Sequence, residues 1–171
     1  MRMKFAVALV AALALAVGVV TLASADTNGS SDDNSGKVFK IFEHEDQTDS
    51  VDVGAPGPSL GDQFVFSSTL LRREGGARIG TDGGVCTFVR LEQNSSTASA
   101  HCVATLSLEG GQITLQGLAA FSTTATTSPP FDVAITGGTG AYAGAGGYVH
   151  IEEISESDSI LTIHLQRGED D

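Results

Sequence analysis

From Lys37 onward the sequence alternates apolar and polar residues at period two, in strand-length runs cut by Gly, Pro, Ser and Asp. That alternation commits the chain to β structure. Strands are expected near 38–45, 62–71, 77–81, 85–92, 98–108, 111–121, 131–136, 147–154 and 159–166, where Thr, Val, Ile and Phe dominate. No window from 37 to 167 carries a convincing helical period. Pro56 and Pro58 fall in a loop over 46–60, and Pro129 and Pro130 open the strand near Phe131, so no strand has a proline in its middle. Seven or eight short antiparallel strands joined by tight connections make a sandwich or a closed barrel.

The residues before this pattern are of a different kind. Arg2 and Lys4 precede an almost unbroken apolar run from Phe5 to Leu22, followed by Ala23-Ser24-Ala25 and Asp26. This is the order of a cleaved secretory signal, expected over residues 1–25, and it implies a secreted, extracellular protein. The alternative is an uncleaved anchor, since the run could nearly span a bilayer. Nothing later in the chain is long and apolar enough to do so. Asp26 to Gly36 has no apolar residue and is expected to be a disordered acidic leader, leaving a single domain over 37–168. Cleavage removes Arg2 and Lys4 and leaves 7 basic against 21 acidic residues, a formal net charge of −14. So negative a surface repels phosphate backbones and excludes nucleic acid as a partner. Both methionines leave with the signal and the chain has no tryptophan, so Val, Ile, Leu, Ala and Phe must build the core.

Two hairpins can be registered from their turns. Centring one on Asn94 sets Arg90 against Ala98, Phe88 against Ala100 and Cys86 against Cys102. Opposed positions bring Cβ atoms to about 4.5–5.5 Å, close to what a disulfide needs, and export permits one. Two reduced, buried thiols are the alternative. Centring the last hairpin on Ser157 gives one apolar face, Val149 and Ile151 against Leu165 and Ile163, and one polar face, with His150 opposite His164 and Glu152 nearby. Two histidines without a third ligand do not make a zinc site, and no metal is assigned. A hydrolase reading fares no better, because no G-x-S-x-G elbow is present.

The segment Gly137 to Gly147, GGTGAYAGAGG, is the most unusual in the chain. No helix and no Lys-Ser/Thr pair follows it, so a phosphate loop does not fit. Glycines here serve a wide turn with positive φ and close backbone approach. The run from Phe131 to Ile151 resembles the GGTG stretch of plant dirigent proteins and allene oxide cyclases. Leu60-Gly61-Asp62 with Phe66 and Leu70, Arg78-Ile79-Gly80-Thr81 leading to Gly84-Val85-Cys86, and Gly111 to Gly117 resemble further cyclase segments in family order.

The resemblance implies an all-β, eight-stranded antiparallel closed barrel, often trimeric, with a largely apolar cavity and no cofactor. Dirigent proteins steer phenoxy-radical coupling and the cyclases close an epoxide into a cyclopentenone, an isomerase chemistry that depends mainly on orientation. It also implies a cavity role for Glu43, which falls on the cyclase cavity glutamate, while Glu45 stands where the cyclases carry asparagine. Cys86 falls on their cavity cysteine, and the cyclase tyrosine after Gln116-Gly117 is Leu118 here. Glu43 is thus the candidate acid or electrostatic stabiliser, the alternative being a solvated carboxylate in the acidic run 43–46. Phe39, Ile41 and Glu43 share the more apolar face of their strand, which favours inward placement. Phe64, Phe66, Phe88 and Phe121 are candidate cavity lining. The expected partner is an apolar small molecule, with a non-enzymatic ligand-binding or structural barrel as the alternative.

Overall fold

The computed structural model describes residues 36–54, 56–92, 97–122 and 128–167. The expected signal peptide, and all of the expected acidic leader except Gly36, lie outside the described residues. The described chain forms eight strands: β1 (Lys37–Val51), β2 (Gln63–Leu71), β3 (Arg78–Leu91), β4 (Thr97–Leu108), β5 (Gly111–Ser122), β6 (Phe131–Gly138), β7 (Ala145–Glu153) and β8 (Asp158–Arg167). Each pairs antiparallel with its neighbour in sequence, and β1 pairs with β8 to close an eight-stranded barrel. Closure leaves no sheet edge unpaired. One short 3-10 turn, Gly140–Tyr142, lies between β6 and β7. No helix among the described residues is long and apolar enough to cross a membrane.

Period two sorts the side chains. On β8, Leu161, Ile163 and Leu165 are buried inside while Thr162, His164 and Gln166 alternate with them; on β5, Ile113, Leu115 and Ala119 point inward. The interior divides by residue size. At one end Ile41, Leu70, Leu106, Ile113, Val149, Leu161 and Ile163 pack into a plug, with Phe39, Ile79 and Tyr142 against it. Each such side chain taken fully out of water contributes about 1.5–3 kcal/mol. At the other end the buried residues are small, namely Ala100, Ala119 and the cystine of Cys86 and Cys102, with phenylalanines packed around them. This second end is left unfilled because its small inward residues alternate with phenylalanines whose rings meet edge to face.

Four expectations of the sequence reading are corrected here. The runs 77–81 and 85–92 are one strand, β3, continuous through Gly83 and Gly84. Gly84 pairs with Phe66, and a Cβ at position 84 would lie 2.7 Å from the Phe66 ring. The glycine therefore makes room for an aromatic ring instead of breaking the strand. Strand β1 runs on through the expected loop to Val51, with a bulge between Glu45 and Gln47, because residues 47–51 pair with the start of β2. A second bulge after Phe88 sets Arg90 against Ser99, not Ala98, while Cys86↔Cys102 and Phe88↔Ala100 pair as registered. The β7–β8 hairpin is shifted by two residues, so His150 opposes Thr162 and His164 opposes Tyr148. A two-residue shift preserves the faces, and Val149 and Ile151 remain inside. The Tyr148 and His164 rings stack at 4.3 Å, and His150 Nδ1 bonds Asp132 at 2.7 Å.

The glycine-rich connection behaves as its composition requires. Gly140 and Gly147 hold φ values of 60° and 107°. A side chain at Gly140 would strike the Gly110 carbonyl, and one at Gly147 would strike the His164 carbonyl. The turn between β6 and β7 thus packs directly on the tight β4–β5 turn.

Candidate functional site

The loosely filled end opens into a cavity of about 320 Å³. One wall is aromatic: Phe64, Phe66, Phe121 and Phe131 line it together with Val133, Ile151 and the Cys86–Cys102 disulfide. Phe64 and Phe121 meet edge to face at 5.5 Å, and Phe121 meets Phe131 at 6.0 Å. These offset arrangements hold the rings without filling the space between them. Of the four expected lining rings, Phe64, Phe66 and Phe121 face the cavity. Phe88 is not among the lining residues; it packs against the small cluster of Cys86, Ala100, Cys102 and Ala119.

The register of the first three strands builds the opposite, polar wall. Glu45 pairs with Ser68 and Ser68 pairs with Asp82, so these three form one row across β1, β2 and β3, with Glu43 one inward position further along β1. The Ser68 hydroxyl donates to Glu43 Oε1 at 3.2 Å. The Asp82 carboxyl acts on the same group. Asp82 is 8% exposed, and its Oδ1 is buried without a partner. Burial raises the pKa of Glu43 well above the usual carboxylate range; the Asp82 carboxyl raises it further, and the Ser68 hydroxyl only partly opposes them. Glu43 therefore carries a proton where an exposed glutamate has lost it. A neutral acid beside a second carboxyl can give up one proton and take back another, which is the equipment of general acid–base catalysis.

Towards the mouth the lining becomes acidic, with Glu45, Glu153, Glu156 and Asp158. Glu153 Oε2 accepts from the Ser128 backbone N–H at 2.6 Å, which ties the β5–β6 connection to β7. Asp158 accepts from Ser155 Oγ and pairs with His44 at 2.7 Å on the outside. That partner raises His44 and holds Asp158 below the usual carboxylate range. Beside the mouth, Asp62 of the Leu-Gly-Asp triplet accepts from Val53 N–H, Ser59 N–H and Ser59 Oγ, and so fastens the loop between β1 and β2. These hydrogen bonds lower its pKa.

Sequence reasoning singled out Glu43 but missed Ser68 and Asp82, which complete its surroundings. The signal was present in parity. Asp82 lies four residues before Cys86 and Ser68 two after Phe66, so each shares the inward face of a residue already assigned to the interior.

With this geometry in view, comparison with known proteins is informative. No curated protein matches the chain. Among solved structures, a pyocyanin demethylase superposes with a TM-score of 0.64 at 29% identity, covering 76% of this chain and 100% of that one. A Diels–Alderase from Streptomyces koyangensis gives 0.54 at 17% identity, over 79% of this chain and 68% of that one. A pterocarpan synthase dirigent protein gives 0.55 at 17% identity, over 80% and 90% respectively. The last two attest the barrel fold alone. Residues 42–165, from β1 into β8, match the allene oxide cyclase barrel-like domain. Closed topology, glycine-rich β6–β7 connection and sequence match agree, and the chain belongs to the allene oxide cyclase barrel-like family.

Proposed function

We propose that this chain is an exported, cofactor-free cyclase or isomerase that folds an apolar small molecule against an aromatic wall and transfers protons through Glu43. The observation that carries the reading is the Glu43 carboxyl, held by the Ser68 hydroxyl in the row of buried Asp82 and lining a cavity faced by four phenylalanines. Its proton passes to a basic oxygen or nitrogen of the ligand. The carboxylate left behind, or Asp82 beside it, takes a proton from another position of the same molecule. The net change is a rearrangement with no proton gained or lost. The four rings contribute by holding one conformer, which lowers the entropic part of the barrier. Names among the solved neighbours support small-molecule chemistry in barrels of this shape. Export is supported by the apolar leader and by a disulfide, which persists in oxidising compartments.

The test uses a neutral apolar fluorophore, such as N-phenyl-1-naphthylamine, followed by a panel of neutral aromatic ketones and phenols. The fluorophore binds wild type and Glu43→Gln alike and is displaced by panel members that enter the cavity. Bound members then rearrange, or take up deuterium from D2O, with wild type only. Binding without conversion that depends on Glu43 removes the enzymatic reading and leaves a binding protein; absence of binding removes both.

A further inference from the structure

We propose that the Cys86–Cys102 cystine is a covalent site worked from inside the barrel: a small, uncharged aliphatic thiol enters the open end, exchanges with the disulfide and stays attached to Cys102. This exchange requires the open cavity but not proton transfer by Glu43. Both cysteines line the cavity. Their neighbours along β3 and β4, Val85, Thr87, His101 and Val103, stand on the opposite face, so the sheet itself closes the sulfurs off from outside. The 4% of Cys86 and 8% of Cys102 that remain exposed therefore face inward.

The two halves of the cystine are covered unequally. Cys86 pairs with Phe64 on β2, and Phe64 and Phe88 both pack against the cystine cluster. Cys102 stands between Ala100 and Ala104 on the inward face of β4, with Gly117 opposite it on β5. None of these three positions carries a side chain large enough to cover Cys102, which is the more exposed of the pair. The strands do not depend on the sulfur bond to stay together. Pairing runs without a shift from Gly80↔Leu108 to Phe88↔Ala100, so the cystine opens within a folded barrel.

The exchange balances as written. The entering thiol loses its proton to water and its sulfur bonds Cys102 Sγ. The Cys86–Cys102 bond breaks, its electron pair leaves on Cys86 Sγ, and that sulfur takes up a proton. One disulfide replaces another, so no outside oxidant or reductant is needed. Only a thiolate at Cys86 could eject the newcomer, and no lysine, arginine or histidine of the described residues lines the cavity to favour one. The attached thiol therefore persists. Charge and bulk select the thiol. A space of about 320 Å³ admits a chain of a few carbons easily, whereas glutathione is bulky and its carboxylates meet Glu45, Glu153 and Glu156 on the way in.

Three thiols separate these effects: 2-mercaptoethanol, the similarly sized anion 2-mercaptoethanesulfonate, and glutathione. Each is added to the oxidised native protein and to the same protein unfolded in denaturant, and adducts are followed by intact mass after acid quenching. In the native protein 2-mercaptoethanol is expected to give a single adduct, mapped to Cys102. Its rate relative to glutathione should exceed the ratio found in the unfolded protein by about tenfold or more, with the sulfonate between them. Bound N-phenyl-1-naphthylamine should slow the native reaction. Equal ratios in native and unfolded protein, a native rate independent of thiol concentration, or an adduct on Cys86 alone overturns the proposal. So does a bound fluorophore that gives no protection. A fluorophore that does not bind at all removes the apolar-ligand reading and leaves the thiol series to decide this one.

Discussion

The two ends of this barrel are built from the same eight strands and obey the same alternation, yet one is a plug and the other a cavity. At the closed end the inward positions are Ile41, Leu70, Leu106, Ile113, Val149 and Ile163. At the open end they are the small Ala100, Ala119, Gly84 and Ser68, alternating with Phe64, Phe66, Phe121 and Phe131. The choice of inward side chains, not topology, decides where the interior fills. The closed end stores stability, and the open end gives some of it up in buried carboxyls and unfilled space. That division is common in sites that need preorganised polar groups.

The contrast breaks most directly by truncating the plug. Ile113→Ala should cost about 2–5 kcal/mol in chemical denaturation while leaving fluorophore affinity per folded molecule unchanged. Next in size is the disulfide, which closes a loop across a sequence separation of 16 residues. The pair Cys86→Ser/Cys102→Ser should lose about 3 kcal/mol and also loosen probe binding, because the cystine lines the cavity. Thiol titration of the unfolded, unreduced wild type should find no free thiol.

A smaller effect is a change in pH dependence. Folded Glu43 keeps its proton where the unfolded residue releases it, so its stabilising contribution is full below the usual carboxylate range and is lost as pH rises through the folded value. Glu45 acts in the same direction. Glu43→Gln, which mimics the neutral acid, should therefore match wild type near about pH 4 and melt progressively higher than wild type toward neutrality. Smallest is Asp62→Ala, which frees the loop at the mouth. It should lower the melting temperature by a few degrees at neutral pH and less in acid, because a lowered carboxyl pKa stabilises only above its folded value.

The two ends also differed in how legible they were. The plug follows from period two alone: Leu161, Ile163 and Leu165, or Ile113 and Leu115, could face nowhere else. The cystine was registered from one turn position, although the bulge after Phe88 moves Arg90 and Leu91, nearest the turn, out of that register. The polar wall did not follow. Its row of Glu45, Ser68 and Asp82 depends on pairing β1 with β2 across a long loop, with a bulge after Glu45 that nothing in the local sequence announces. Gly83 and Gly84 resembled a break because the Phe66 ring that requires Gly84 lies on another strand. Glu43 was visible through family resemblance; its partners became visible only once the strands were registered.

The central claim is that Glu43 is a neutral acid inside the open end. Carbon-detected NMR of the side-chain carboxyls across a pH titration, with the Glu43 signal assigned by its absence in Glu43→Gln, tests it directly. The account predicts that Glu43 stays protonated well above the range in which the exposed glutamates titrate, and that Ser68→Ala, which removes the one hydrogen bond favouring its ionised form, moves it higher still. A Glu43 carboxyl that titrates together with the exposed glutamates would contradict it.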